Sequence, residues 1–163
     1  MALLPDKTLV SYYEFFLSGG AEISLAVVGD DVLGFAVYGE NLAERIESFK
    51  KTAAWDILKT SICNPVIATR KAFNAMLARL VAKQVLKSAD FLLLSIAVVQ
   101  PGCGIGGHLL RIVSLEAKHR CERTVGLYVN ADNIKAINAY FAAGFVILQK
   151  KNCQFYMEMY LEQ

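Results

Sequence analysis

Between Ser95 and His108 the chain reads S-I-A-V-V-Q-P-G-C-G-I-G-G-H, with glycines at 102, 104, 106 and 107. Glycines this close together let a backbone turn sharply and bring its N–H groups against a ligand. Leu109, Leu110, Ile112, Val113 and Leu115 follow on a helical period, so the loop opens a helix packed against a sheet. The N-terminus of such a helix adds about half a positive charge. Together these features form a cradle for a phosphate or diphosphate, and the alternative is an ordinary tight strand-to-helix turn. A Walker-type loop would end in Gly-Lys-Ser/Thr, whereas this one ends in Gly106, Gly107 and His108, which argues against ATP chemistry. Gly102, Gly104 and Gly107 satisfy the G-x-G-x-x-G spacing of dinucleotide folds. Glu122, however, precedes the next strand instead of ending it and could not reach a ribose.

Other reactive side chains are sparse. Cys103 lies in the loop at a helix start, where a thiolate is favoured, so either a covalent acyl-cysteine route or an innocent loop thiol fits it. Cys63, Cys103, Cys121 and Cys153 form no C-x-x-C pair, and only His108 and His119 could complete a metal site. The two histidines are eleven positions apart on one helix, too far for a common ion, so no metal is expected. Free thiols imply a reducing compartment, and the expected location is the cytoplasm.

These residues need elements to hold them. Phe91 to Val99 is an apolar run ending in β-branched residues, which predicts a strand buried on both faces. Upstream, Thr8 to Leu17 has a one-sided helical pattern stopped by Ser18, Gly19 and Gly20. Glu22 to Val28 and Val32 to Tyr38 read as an antiparallel hairpin with a turn over Gly29 to Asp31. Residues 42–87 predict two helices divided at Asn64 and Pro65, with Trp55 in the first and Phe73, Met76, Leu77, Leu80 and Val81 facing inward in the second. Downstream, Thr124 to Val129 predicts a strand, and Asn133 to Ala142 a short helix ending at Gly144 in a left-handed cap. Phe145 to Leu148 and Phe155 to Leu161 form a second hairpin. The sum is an α/β fold with a central mixed sheet, helices on both faces and hairpins on either side of one parallel pair.

At 163 residues this is one domain by size, 1–163, with 55% hydrophobic and 20% charged residues, so a globular class is expected and disorder is not. No apolar run approaches the roughly twenty residues that cross a bilayer, so no stable membrane insertion is expected. The N-terminus lacks the pattern of a signal peptide. The net charge of +2 conceals an asymmetry: residues 1–41 carry one basic and six acidic side chains, residues 42–87 carry nine and three. The basic stretch is either a solvated helical face or a surface for an acidic partner.

Two segments resemble the GNAT superfamily of acetyl-coenzyme A dependent N-acetyltransferases. One is the S-I-A-V strand followed by Gly102, Cys103, Gly104, Ile105, Gly106, Leu109 and Leu110, similar to the family's coenzyme A loop. The other is Leu127, Val129, Asn133, Ala136, Tyr140, Gly144 and Phe145, similar to its N-x-x-A-x-x-x-Y-x-x-x-G-F signature. The connection through Val99, Gln100 and Pro101 is shorter than in family members, the family's first strand and helix are missing, and 42–87 is an insertion between its third and fourth strands.

The resemblance implies acetyl transfer from acetyl-CoA to a primary amine by direct attack in a ternary complex. It implies that Gly102, Cys103, Gly104, Ile105, Gly106 and Gly107 hold the cofactor's diphosphate and that Ile96, Ala97 and Val98 pair with its pantetheine arm. An N–H near Val98 would face the thioester oxygen, and Asn133 would bind the cofactor arm. Tyr140 would be the general acid for the departing thiolate, or else a tyrosine capping the core beside Phe141. Glu22 and Glu40 are possible bases, and Ser95 could position a water. The implied partner is a small-molecule amine or a protein amine, with no nucleic acid; a homodimer is compatible. A coenzyme A sensor or an inactive interaction module is the alternative.

Overall fold

In a computed structural model, residues 6–49, 89–151 and 153–162 are described. The chain divides into two compact units, Met1–Leu42 with Ala89–Gln163, and Ala43–Ser88. Residues 42–49 are helical; the rest of the expected basic insertion, including Trp55 and the second helix, lies outside the described residues.

The first unit opens with helix α1 (Asp6–Leu17), which buries Phe16 completely. Strands β1 (Glu22–Val28) and β2 (Asp31–Glu40) then pair antiparallel. Asp31 already pairs with Val28, so the turn is Gly29 and Asp30 alone, shorter than expected. Gly29 supplies the positive φ, +61°, that a two-residue hairpin turn demands. Strand β3 (Phe91–Val98) follows, then helix α2 (Ile105–His119), strand β4 (Thr124–Asn130), helix α3 (Ile134–Ala142), and the antiparallel strands β5 (Val146–Lys151) and β6 (Gln154–Tyr160).

The sheet order is β1-β2-β3-β4-β6-β5, and β3 and β4 are the parallel pair. Side chains of Phe91, Leu93, Val125, Leu127, Val129, Met157 and Met159 form one face of the sheet and pack against Leu109, Leu110, Val113 and Ala117 of α2 and Ile137 and Tyr140 of α3. Fully burying a side chain such as Leu109, Leu127 or Met157 contributes about 1.5–3 kcal/mol. The helical step puts 109, 110, 113 and 117 on the core stripe, so Leu115, expected inside, is exposed instead. Tyr13 of α1 covers the opposite face, its ring 5.9 Å from that of Phe35.

Close approach between layers depends on two glycines. A Cβ on Gly34 would lie 2.8 Å from the Ala97 carbonyl oxygen and 3.3 Å from Leu109, so glycine lets α2 settle onto the hairpin. A Cβ on Gly126 would lie 2.6 Å from the Tyr156 hydroxyl and 2.8 Å from Leu92.

Candidate functional site

Strand β3 is buried on both faces only from Phe91 to Leu93, not to Val99 as expected. The cause is its neighbour: β4 pairs with β3 at Phe91↔Val125, Leu92↔Gly126 and Leu93↔Leu127 and then leaves it. Beyond that last rung β3 continues to Val98 and β4 to Asn130, so the two strands open into a fork at their carboxyl ends. In α/β sheets this is where ligands bind.

Where the fork begins, β3 also changes register against β2: Val37 pairs with Ser95 but Tyr38 with Leu93, so Leu94 is an extra residue, a β-bulge. A bulge re-aims backbone groups and is common next to active sites. Beyond it the ladder alternates. The Val99 N–H donates to Leu33 (2.9 Å), so Val99, Ala97 and Ser95 turn their peptide groups toward β2. Ile96 and Val98 therefore turn theirs away from β2, into the fork. Of the three strand residues implied as a cofactor edge, these two carry the outward groups and Ala97 belongs to the β2 ladder.

Two loops roof the mouth of the fork, one after each strand. In the first, Gly102 and Gly104 have φ of +91° and +79°, values that a Cβ disfavours. Gly104 is the N-cap of α2; no side chain caps that end and its first turn holds no acidic residue. The first-turn N–H groups of a helix have no partner within the helix, so this terminus suits an anion. Gly102, Gly104 and Gly107 would each point a Cβ into open space, which leaves the loop surface bare. The Cys103 thiol is exposed and lies 3.7 Å from Gln100 Oε1. In the second loop, Asn133 is exposed and caps α3, its side-chain oxygen accepting from the Ala136 N–H at 3.3 Å. That cap uses the side-chain oxygen and not the NH2.

Helix α3 leads back from the mouth, since β5, which follows it, runs parallel to β4 through their shared neighbour β6. Tyr140 is seven positions past Asn133, so it lies about 10 Å down the helix from the mouth at 1.5 Å per residue. The bulge at Leu94 is four positions before Val98, about 13 Å down the strand at 3.3 Å per residue. Along their elements Tyr140 and the bulge thus lie within about 3 Å of each other in distance from the mouth. Tyr140 packs edge-on against Phe145 at 5.8 Å, not against Phe141, and burial raises its pKa above the ordinary value of a phenol.

Glu22 and Glu40 both pair with Arg120, which follows α2, with Arg120 Nη1 3.1 Å from Glu40 Oε1. Glu40 is paired with Phe91, at the end of β3 away from the mouth. Glu122 stands beside the same cluster, its pKa raised by burial and by Asp90 and Glu40. Ser95 has a partner that local patterning does not show: its Oγ lies 2.9 Å from the Tyr13 hydroxyl.

Neither a protein-family model nor a curated relative matches the sequence. Solved structures do match in fold. A GNAT family acetyltransferase from Elizabethkingia anophelis with acetyl-CoA bound aligns over 96% of this chain and 84% of its own, with 17% identity and a TM-score of 0.55. The PaiA N-acetyltransferase from Thermoplasma acidophilum in complex with coenzyme A aligns over 94% and 70%, with 15% identity and a TM-score of 0.55. A protein assigned to the GNAT acetyltransferases from Desulfovibrio desulfuricans aligns over 98% and 84%, with 14% identity and a TM-score of 0.61. The mixed sheet and its flanking helices are thus the GNAT fold. No helix among the described residues is long and apolar enough to cross a membrane.

Proposed function

We propose that this protein is an N-acetyltransferase moving acetyl from acetyl-CoA to a primary amine by direct attack in a ternary complex. The observation that carries the reading is the fork between β3 and β4, which exposes strand backbone beneath an uncapped helix N-terminus. The diphosphate would rest on the N–H groups of residues 102–107. The pantetheine arm would run down the fork as a strand would, using the outward peptide groups of Val98 and Ile96, with Asn133 across from them. That course brings the thioester to the bulge around Leu94, deeper than Val98, where a re-aimed N–H can meet the oxyanion. One such donor is worth roughly 3 kcal/mol of barrier in other acyl-transfer enzymes. At that depth Tyr140, kept protonated by burial, donates to the departing thiolate.

The acceptor is a small-molecule or protein amine, and we place the enzyme in the cytoplasm, where the exposed Cys103, Cys121 and Cys153 remain thiols. A coenzyme A sensor is the second reading, favoured by the engagement of Glu22 and Glu40 with Arg120. Calorimetric titration with acetyl-CoA, 3′-dephospho-coenzyme A and ATP, followed by turnover on a panel of amines, tests both. Micromolar binding of acetyl-CoA with turnover is the expected result; binding without turnover would favour the sensor, and no binding would remove both.

A further inference from the structure

One buried carboxylate remains unused by this scheme. Glu158 of β6 is 7% exposed and is the buried charged residue among those described. Tyr156 donates its hydroxyl proton to Glu158 Oε1, and the same hydroxyl oxygen accepts the Ala89 N–H at 2.7 Å. Buried polar groups are costly unless hydrogen-bonded, and here each is satisfied by the next. The strand pattern Q-F-Y-M-E-M-Y puts Tyr156 and Glu158 on one face and Met157 and Met159 on the other, in the core.

Their place in the sheet is what matters. Glu158 pairs with Gly126, and Gly126 pairs with Leu92, one rung below the last contact before the fork. The Tyr156 hydroxyl lies over Gly126, where a Cβ would come within 2.6 Å of it. Tyr128, two residues further toward the opening, packs its ring against that of Tyr156 with centres 4.9 Å apart. The pair therefore sits at the floor of the fork, about two residues or 7 Å along β3 from the bulge. It lies on the face that carries α1, opposite α2, α3 and Tyr140. Gly126 makes the arrangement possible, because any side chain there would displace the phenol.

The geometry points to Tyr156 and Glu158 as the proton acceptor for the attacking amine, with the acceptor substrate an aliphatic amine that arrives as an ammonium ion from the α1 face. This rests on the acetyltransferase reading. The ammonium gives one proton to the Tyr156 oxygen as the Tyr156 proton passes to Glu158. The freed nitrogen lone pair forms the N–C bond to the thioester carbonyl carbon. When the C–S bond breaks, the thiolate takes a proton from Tyr140, and the second nitrogen proton replaces it. Glu158 later returns its proton to water, so one proton is released per turnover. Tyr156 is the group that touches the substrate; Glu158 acts through it. Burial and the hydrogen bond to Glu158 keep the phenol protonated and able to relay. Among the described residues, Glu158 and, from β4, Tyr128 are the titratable groups beside it, with Leu92, Gly126 and Ala89 packed around the same spot.

The experiment compares wild type, Glu158→Gln and Tyr156→Phe on two nucleophiles: the best aliphatic amine from spermidine, tyramine and glucosamine 6-phosphate, and hydroxylamine, which is already neutral at pH 7. Acetyl-CoA affinity of each variant is read first by calorimetry and should be unchanged. At pH 7 each variant should lose about 100-fold or more in kcat/KM on the aliphatic amine. With hydroxylamine the rate should stay within about threefold, a range well below that effect. Raising the pH should restore the variants' aliphatic rate toward wild type as free amine accumulates. Equal losses on both nucleophiles, or full aliphatic activity in the variants, would overturn the relay. Wild type that binds acetyl-CoA and acetylates only hydroxylamine would overturn it while leaving the cofactor reading intact. Wild type that does not bind acetyl-CoA would overturn the underlying reading and the relay with it. Should Glu158→Gln fail to fold, Tyr156→Phe, which keeps the ring, carries the test.

Discussion

Water is largely excluded around Tyr140, and its raised pKa makes the phenol a proton donor throughout the neutral range. Tyr140→Phe keeps the edge-on contact with Phe145 and removes only the hydroxyl. It should lower kcat about 100-fold, the lower end of general-acid effects, and leave acetyl-CoA affinity unchanged by calorimetry. An unchanged kcat would return Tyr140 to a purely packing role. The carboxylates at the other end of β3 carry the opposite expectation. Glu22, Glu40 and Arg120 are about a third or more exposed, and ion pairs of that kind contribute about 0–1 kcal/mol. Glu22→Gln and Glu40→Gln should therefore leave kcat within about twofold and the urea midpoint nearly unmoved. A large loss of kcat in either would make that carboxylate the base and displace Glu158.

At the scale of the element, the loop before α2 separates conformational from ligand-binding effects. Gly107 lies in the first turn of α2, with open space where a Cβ would go. In the free protein Gly107→Ala should raise stability by about 0.5–1 kcal/mol, the helical preference for alanine over glycine. With acetyl-CoA the same methyl group would meet the diphosphate, so affinity should fall at least tenfold. A thermal melt with and without acetyl-CoA reads both effects, and unchanged affinity would place the diphosphate elsewhere. Gly104→Ala differs because its φ is +79°. It should cost about 1–2 kcal/mol even without ligand. Gly126→Ala tests the floor of the fork: overpacking against Tyr156 and Leu92 should cost about 1–3 kcal/mol.

At the scale of the whole molecule, three phenols among the described residues make stability fall at alkaline pH. Burial raises the pKa of Tyr12 to about 12 and also raises those of Tyr140 and Tyr156. Between the ordinary phenol value of about 10 and the folded value, the unfolded chain has lost protons that the folded chain keeps. Stability then falls as pH rises, by up to about 1.4 kcal/mol per pH unit for each group. Below about pH 9 these three groups impose no pH dependence. The urea midpoint should thus fall progressively above pH 10, and more gently in Tyr156→Phe. An equal slope in that variant would show that Tyr156 does not hold its proton through burial.

Much of this molecule was legible from short-range pattern. Alternation located both hairpins, the glycine run and the apolar stripe located α2, and Asn133 with Gly144 bracketed α3 to within a residue. Such features are set by contacts a few positions apart, so a single sequence determines them. The glycine cradle and the pattern around Tyr140 were visible for the same reason. Tertiary structure alone decided the rest. The fork requires the register between β3 and β4, whose paired residues are 34 positions apart, and the bulge at Leu94 requires the register with β2, whose paired residues are 51 or more positions away. Arg120 claimed Glu22 and Glu40 across 98 and 80 positions, and Ala89 joined Tyr156 across 67. In each case the partners are chosen by how strands stack into one sheet, and no local period records that choice.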